Sequence, residues 1–310
     1  MRVVRGLERA RGCFSGPVVT IGNFDGVHLG HQVILSRVRE DADHRGVDAV
    51  VLTFDPHPVA VLRPQAAPQL LMTLGDRLAA LARCGVDATV VQRFTPEFAK
   101  IEAEEFVERF LVGVLGAQKL VVGHDLNFGY GRRGNAESLV EAGGRYGFAV
   151  EVIRPVVVEG IAVHSSVVRR TVAAGNVALA ARLLGRPHIV RGRVVRGTGR
   201  GRHLGFATAN LRPKTPLIPG EGVYAVRAVV GGRMVDGVTS IGRTPTFGGT
   251  ETVVETHLFG ETADLYGKMM AIRFVDRLRD QRKFESPEQL AAQIARDVER
   301  ARAILAASSL

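Results

Sequence analysis

Residues 18–31 read VVTIGNFDGVHLGH, a short apolar run followed by a glycine-containing segment and two histidines. The apolar run predicts a strand over 18–22, and the spacing of Leu35, Val38 and Ala42 predicts an amphipathic helix directly after the histidines. In an open α/β sheet, ligands bind where a strand ends and a helix begins, because the free N–H groups of the helix face them. We therefore expect this segment to bind phosphate.

The chain on either side of this segment predicts an α/β domain. Further apolar runs predict strands near 49–54, 88–93, 119–123 and 149–153. Helical patterns lie between them, one of them within Phe98 to Leu115, and strands that alternate with helices indicate a doubly wound parallel sheet. A helical connection over 165–185, interrupted at 174–176, ends this domain, which we place at residues 1–185.

The pattern changes near residue 186. Short alternating strands separated by glycine-rich turns predict a small antiparallel β-barrel in residues 186–310. The predicted strands are 189–195, 222–230, 233–241, 252–259 and 269–274. Ser286-Pro287-Glu288-Gln289 is typical of a helix start, so we expect a C-terminal helix that packs on the barrel.

Composition limits the class of protein. A chain of 310 residues that is 46% hydrophobic favours about two domains. It has no signal-peptide pattern and no run of roughly 20 apolar residues, and its two cysteines fit a reducing compartment, so we expect a cytoplasmic protein without a membrane partner. The net charge of +10 is compatible with nucleic acid, anionic lipid or small phosphorylated ligands, and also with a solvated arginine-rich surface. The arginines are scattered without interleaved aromatics, which argues against nucleic acid.

His28 and His31 are the candidate catalytic residues of the first domain. Three residues apart at the start of a helix, they are expected to point toward one phosphate and to stabilise charge on an α-phosphate and a departing pyrophosphate. Gly30 lets the backbone approach. The alternative is that the histidines only cap the helix. No GK[ST] or GxGxxG follows, which excludes a P-loop and disfavours a dehydrogenase.

The decamer from Gly22 to His31 resembles the HxGH nucleotidylyltransferases, and in its full form the adenylyltransferase module of bacterial bifunctional riboflavin kinase/FAD synthetases. The resemblance continues in order through TFDPHP at 53–58, VGHDLNFG at 122–129 and SSVVR at 165–169. It implies that ATP is bound by Gly22, Asn23, Phe24, Asp25, Gly30, Ser165, Ser166 and Arg169. It also implies that the flavin is bound by Asp55, His57, Asp125 and Asn127.

The residues alone leave other roles open. A serine at 165 or 166 with Arg169 one turn later also fits a plain helix cap with a surface arginine. Asp125 suits Mg²⁺, ribose or flavin, but also an exposed turn. His57 lies between two prolines and suits adenine binding or the turn itself.

The second domain contains GTGRGRHLG at 197–205, whose glycines suit a loop that folds over a polyphosphate. We expect phosphate contacts from Gly197, Gly199, Gly201 and Gly205. The next residues, FATAN, are similar to the riboflavin kinase motif that usually reads PTAN, which implies that Thr208 and Asn210 bind Mg²⁺. The resemblance further implies that Glu255 is the base and that Arg277 and Arg279 lie beside the flavin. Polar residues of an edge strand and a solvent-facing glutamate are the alternatives.

Together these features predict an enzyme that phosphorylates riboflavin to FMN with ATP and then adenylylates FMN to FAD, releasing pyrophosphate. Its expected partners are small molecules with Mg²⁺, and we expect a monomer or transient homo-oligomer. Ala207, His164, Ser166 and Asn127 depart from the family pattern. The alternatives are a diverged paralogue with one weak site or a modified flavin substrate, and a non-catalytic flavin- or nucleotide-binding protein.

Overall fold

The computed structural model describes residues 1–196, 206–246, 249–261 and 264–308. They form two compact units. The α/β unit comprises Met1–Gln69 and Leu74–His164, and the barrel unit comprises Leu70–Thr73 and Ser165–Leu310. In the part of the chain so described, no helix is both long and apolar enough to span a membrane.

The α/β unit contains a parallel sheet of six strands in the order β1-β4-β3-β2-β5-β8. Its strands are β1 Arg2–Arg5, β2 Val18–Ile21, β3 Ala49–Asp55, β4 Ala88–Arg93, β5 Lys119–Gly123 and β8 Ala149–Ile153. Two short pairs, β6 Asn127–Phe128 with β7 Gly134–Asn135 and β9 Val157–Val158 with β10 Ile161–Ala162, lie outside this sheet. The parallel sheet and five of its strands were predicted. β1 was not, because it is a four-residue edge strand with an arginine at each end.

Helices pack on the sheet, and the apolar side chains between them form the core of the α/β unit. They are α1 Leu29–Arg45, α2 Pro58–Leu62, α3 Leu74–Arg83, α4 Ala103–Glu105 and α5 Ala136–Tyr146. Val19 and Ile21 of β2 pack with Phe106 and Leu111 in one apolar cluster, while α1 contacts β2, β3 and β5. The predicted helix in 98–115 is instead a 3₁₀ turn at Phe98–Lys100, then α4 and a π-helical segment at Phe106–Val112.

The main segment of the barrel unit begins with α6 Ser165–Ala173 and α7 Val177–Leu184, which are separated at Gly175, where φ is +78°. Its closed antiparallel barrel has the strand order β11-β12-β15-β14-β13-β16. The strands are β11 His188–Val195, β12 Thr208–Pro213, β13 Gly222–Val230, β14 Arg233–Thr246, β15 Gly249–Leu258 and β16 Met269–Arg279. The predicted barrel is confirmed, and β12 is an additional strand.

The C-terminal helix, α8 Pro287–Ala307, begins as the sequence predicts. The Ser286 hydroxyl accepts a hydrogen bond from the Gln289 N–H at 3.3 Å, which caps the helix. Ala301 and Leu305 of α8 pack against Val223 and Val238 of the barrel. The helix therefore covers part of the barrel wall.

The two compact units divide the chain at 164/165, whereas the sequence favours a domain boundary at 185/186. α7 contacts β11 and β16, and Val177 belongs to the apolar core of the barrel, so α6 and α7 group with the second unit. A boundary between the two catalytic domains at 185/186 stays a prediction.

Candidate active sites

The segment between β2 and α1 has a strained backbone. Phe24 and Val27 have φ angles of +50° and +41°, and Gly26 has +86°. Positive φ is costly for residues other than glycine, above all for a β-branched one, and such strain persists where surrounding contacts fix it. Phe24 and Val27 are each 1% exposed, and Gln32 Nε2 donates to the Val27 carbonyl at 2.8 Å. Burial and α1 thus hold this loop in one conformation.

The imidazoles of His28 and His31 lie together at the start of α1, with ring centroids 3.7 Å apart and planes inclined by 17°. His28 caps the helix, since its Nδ1 accepts from the His31 N–H at 3.3 Å. A neutral His28 that accepts at Nδ1 carries its proton on Nε2. A Cβ at Gly30 would lie 3.2 Å from the His28 ring, so glycine gives this ring its space.

Further polar residues follow the strands beside β2. β2 pairs with β3 and with β5, and Asp55 ends β3 while Asp125 follows β5. The Asp125 carboxylate is 3.3 Å from His164 Nδ1, and Asn127 Nδ2 donates to the Asp125 carbonyl at 2.8 Å. The segment with the histidines, Asp55 and Asp125 thus follow three adjacent strands at the same edge of the sheet.

His57 has a local structural contact. It is 8% exposed, and its Nδ1 accepts from the Val59 N–H at 3.2 Å, which caps α2. The sequence left open that His57 serves the turn itself, and this hydrogen bond supports that role. Flavin binding by His57 stays a prediction.

Sequence reasoning missed Arg77 of α3. Its side chain is 4% exposed; Nη1 donates to the Asn23 carbonyl at 2.7 Å and Nη2 to the Phe54 carbonyl at 3.0 Å. Burial lowers the pKa of Arg77 below its ordinary value, while Asp55 and Asp25 oppose this effect. The available signal was the position of this arginine on the same helical face as Leu81, one turn later.

Ser165, Ser166 and Arg169 belong to the barrel unit. α6 begins at Ser165, so both serines lie in its first turn, and Arg169 follows one turn later and is half-buried. Their contribution to ATP binding stays a prediction.

The barrel brings Thr208, Asn210 and Glu255 to one face. Asn210 of β12 lies directly opposite Glu255 of β15, and Thr208 lies opposite His257. Paired residues of adjacent strands project to the same side of a sheet, and successive residues alternate. Leu211 and Val254 pack inside the barrel, so the three candidate residues lie on its outer face.

Ser240 and Gln281 are neighbours of this face that sequence reasoning did not select. Ser240 of β14 pairs with Glu255. Gln281 Nε2 donates to Ser240 Oγ at 2.7 Å and to the Ile241 carbonyl at 2.9 Å. The segment after β16 is thereby attached to the strand beside the candidate base. Pairing between distant strands creates this proximity, and no local pattern indicates it.

The two arginines expected beside the flavin have protein partners. Arg277 donates to the carbonyls of Glu221 and Ala174. Arg279 donates through Nε and Nη2 to both carboxylate oxygens of Asp297 at 2.8–3.1 Å. Asp297 is 5% exposed, so this pair attaches α8 to the barrel. Flavin contacts of either arginine stay predictions.

Part of the predicted kinase site lies outside the described residues. This applies to Gly197, Gly199, Gly201 and Gly205. The described part of the chain resumes at Phe206, two residues before β12.

Comparison with known families and proteins relates both units to flavin enzymes. Residues 11–167 match the family described as FAD synthetase, and residues 184–305 match the riboflavin kinase family. The bifunctional riboflavin kinase/FMN adenylyltransferase of Pseudomonas fluorescens is 41% identical over 310 residues, with 100% of this chain and 99% of the relative covered. The enzyme of the same name from Haemophilus influenzae is 38% identical over 304 residues, with 98% and 99% covered.

A solved structure described as a macrolide-efflux protein from Streptococcus pneumoniae has a TM-score of 0.90 to this chain. It is 32% identical in sequence, and the match covers 97% of this chain and 99% of that one. Both family matches and the full-length relatives agree with the two units and their order along the sequence. The chain belongs to the bifunctional riboflavin kinase/FMN adenylyltransferase family.

Proposed function

We propose that this protein makes FAD from riboflavin in two ATP-dependent steps, each in its own domain. In the first step the γ-phosphoryl group of ATP moves to the terminal ribityl hydroxyl of riboflavin and gives FMN and ADP. In the second step the adenylyl group of a second ATP moves to FMN and gives FAD and pyrophosphate. The observation that carries this proposal is the presence of both family domains, in order, in one chain that aligns end to end with bifunctional relatives.

For adenylyl transfer, we assign the attack to a phosphate oxygen of FMN on the α-phosphorus of ATP. Negative charge then grows on the α-phosphate and on the departing pyrophosphate. The Nε2–H of His28, the ring of His31 and the N–H groups at the start of α1 stabilise that charge. Ser165, Ser166 and Arg169 hold the ATP phosphates, and no protein nucleophile takes part.

For phosphoryl transfer, we assign Glu255 as the base that accepts the proton of the ribityl hydroxyl. A primary hydroxyl is a weak nucleophile at neutral pH, and a carboxylate within reach typically contributes about 10²–10⁴ in rate. Glu255 lies directly opposite Asn210, beside the strand that continues from the predicted phosphate loop. This position suits a base next to transferred phosphate.

Mg²⁺ is proposed for the kinase site. The side-chain oxygens of Thr208 and Asn210, on the same barrel face as Glu255, are hard ligands of the kind this ion prefers. Within the residues that the structure describes, no cluster of three His, Cys, Asp or Glu side chains is arranged to hold a metal ion. An ion bound jointly by Thr208, Asn210 and ATP phosphates fits this donor set; when bound, it neutralises phosphate charge.

We also propose that the protein acts in the cytoplasm on small molecules, without a nucleic acid partner, as a monomer or transient homo-oligomer. Its two cysteines, Cys13 and Cys84, form no disulfide with each other, which suits a reducing compartment.

The test is to incubate the purified full chain with riboflavin, ATP and MgCl₂ and to separate the flavins by chromatography. Formation of FMN followed by FAD supports the proposal. Formation of only one product from riboflavin or from supplied FMN would indicate a diverged enzyme with one weak site. Binding of flavin without either product would indicate a non-catalytic binding protein.

A further inference from the structure

We propose that Arg77 is a positioning residue for adenylyl transfer, which fixes the segment 22–28 carrying His28 against the end of β3. This inference rests on the function proposed above for the α/β unit. Arg77 acts through neighbouring groups of the protein, two backbone carbonyls and the Asp55 carboxylate at 3.5 Å, and has no assigned contact with a substrate.

The contacts of Arg77 join two adjacent strand ends. Nη1 donates to the carbonyl of Asn23, in the segment that follows β2, and Nη2 donates to the carbonyl of Phe54 near the end of β3. The Thr53 hydroxyl donates to the same Asn23 carbonyl at 3.3 Å. A planar guanidinium supplies these donors in a fixed geometry. Arg77 therefore joins the two segments through one rigid group, together with the bond from Thr53.

Burying the charged guanidinium of Arg77 lowers the stability of the fold unless the charge is compensated. The Arg77 side chain is 4% exposed, and a buried cation is expensive unless it is paired and hydrogen-bonded. Asp25, itself 2% exposed, and Asp55 supply negative charge nearby. Replacing a whole buried ion pair by apolar side chains is often neutral for stability, whereas replacing Arg77 alone leaves Asp25 and the two carbonyls without this partner. A fixed loop next to the histidines is a benefit that an apolar side chain does not provide.

The strained segment 22–28 requires contacts that hold its backbone in place. Asn23 is followed at once by Phe24 with φ of +50°, and Val27 with φ of +41° directly precedes His28. Strained residues persist only where their surroundings determine them. Without the hydrogen bond from Arg77 to the Asn23 carbonyl, we expect the loop to relax and the two imidazoles to move from their observed positions. A displacement of about 1 Å in a catalytic site can cost about 10²-fold in rate.

The experiment uses the full chain with Arg77→Met and measures FAD formation from FMN and ATP. We expect kcat to fall about 10- to 100-fold, while KM for FMN and for ATP changes much less. FMN formation from riboflavin, which occurs in the other domain, is expected to stay at the wild-type level. Arg77→Lys keeps the charge but offers one nitrogen for both carbonyls, so we expect an intermediate kcat.

Arg39→Met is the matched control. Arg39 pairs with Asp43 and Asp87 and donates to the Gly85 carbonyl, beside the amino end of β4 and thus away from the histidines. This variant is expected to lower the melting temperature and keep the wild-type kcat for FAD formation. If both variants lose kcat in proportion to lost stability, Arg77 is merely structural and the inference fails.

The remaining outcomes separate the two proposals. A wild-type chain that forms no FAD contradicts the proposed function. A wild-type chain that forms FAD while folded Arg77→Met retains kcat within about twofold contradicts the role of Arg77. If Arg77→Met does not fold, Arg77→Lys decides: a lowered kcat with unchanged KM supports the inference, and the wild-type kcat overturns it.

Discussion

The Nδ1 atom of His257 lies 2.9 Å from the carbonyl oxygen of Ala207, immediately before Thr208. Because a carbonyl oxygen only accepts, the imidazole must be the donor. Phe206 packs edge-on against the same ring, with centroids 5.3 Å apart. His257 therefore holds the backbone at the start of β12, where this chain has alanine in place of the proline of the similar kinase motif.

We expect His257→Ala to lower kcat for FMN formation about 2- to 10-fold, since one hydrogen bond contributes about 0.5–1.5 kcal/mol. FAD formation from supplied FMN should not change. Steady-state kinetics of the two half-reactions on the same protein sample measure both effects.

The same substitution in an Ala207→Pro protein tests whether His257 acts through the backbone at Ala207. Proline fixes φ at position 207, so in Ala207→Pro the hydrogen bond from His257 matters less and His257→Ala should have a smaller effect. Equal losses in the two backgrounds would show that His257 acts in another way.

Glu255→Gln keeps the size of the side chain and removes its ability to accept a proton. We expect FMN formation to fall about 10²- to 10⁴-fold. FAD formation from FMN and ATP should continue, because the histidines lie in the other domain. If product analysis shows both activities lost together, the assignment of two separate sites is wrong.

Variants at His28 can separate helix capping from catalysis. His28→Ala removes both the cap and the imidazole, and loss of a cap typically costs about 0.5–2 kcal/mol of stability. His28→Asn restores a good capping side chain without the imidazole. We expect both variants to accumulate FMN from riboflavin and ATP, but only His28→Ala to melt at a markedly lower temperature. Normal FAD formation by His28→Asn would assign this histidine to capping alone.

The barrel unit should lose stability in mild acid through His188. This residue is 3% exposed, and burial lowers its pKa from 6.5 to about 4, although its Nε2 donates to the Leu217 carbonyl at 3.0 Å. Between these two values the unfolded chain binds more protons, so stability is complete above about pH 6.5 and falls as the pH is lowered toward 4.

At pH 5 this effect amounts to about 2 kcal/mol. Urea unfolding at pH 7.5 and pH 5 measures it, with His188→Asn as the variant that cannot titrate. We expect a smaller loss between the two pH values in the variant. The same loss in both proteins would assign the acid sensitivity to other groups.

Arg279 and Asp297 provide a test of a flavin contact against a structural one. Removing either partner of a buried pair leaves the other uncompensated, so Arg279→Met should lower the free energy of unfolding by roughly 3 kcal/mol, as should Asp297→Leu. A KM for riboflavin that stays unchanged in both variants would assign Arg279 a structural role alone. A raised KM in Arg279→Met alone would show that the guanidinium also contacts the flavin.

The sequence determined the elements whose signals are local. The strand and helix around residues 18–45 and the cap at Ser286 follow from apolar periodicity and capping chemistry, which act within a few residues. Sequence analysis could predict those site residues that lie in one continuous segment, as His28 and His31 do. The resemblance to a family added the roles of residues as distant as Asn210 and Glu255.

The tertiary structure alone decided the features that depend on distant partners. β1 exists as a strand through its pairing with β4, and α7 joins the barrel unit because it contacts β11 and β16. Arg77 meets Asn23 and Phe54 only after the strand order is set. No local pattern encodes that order, because hydrogen bonds and burial between remote segments are properties of the assembled fold.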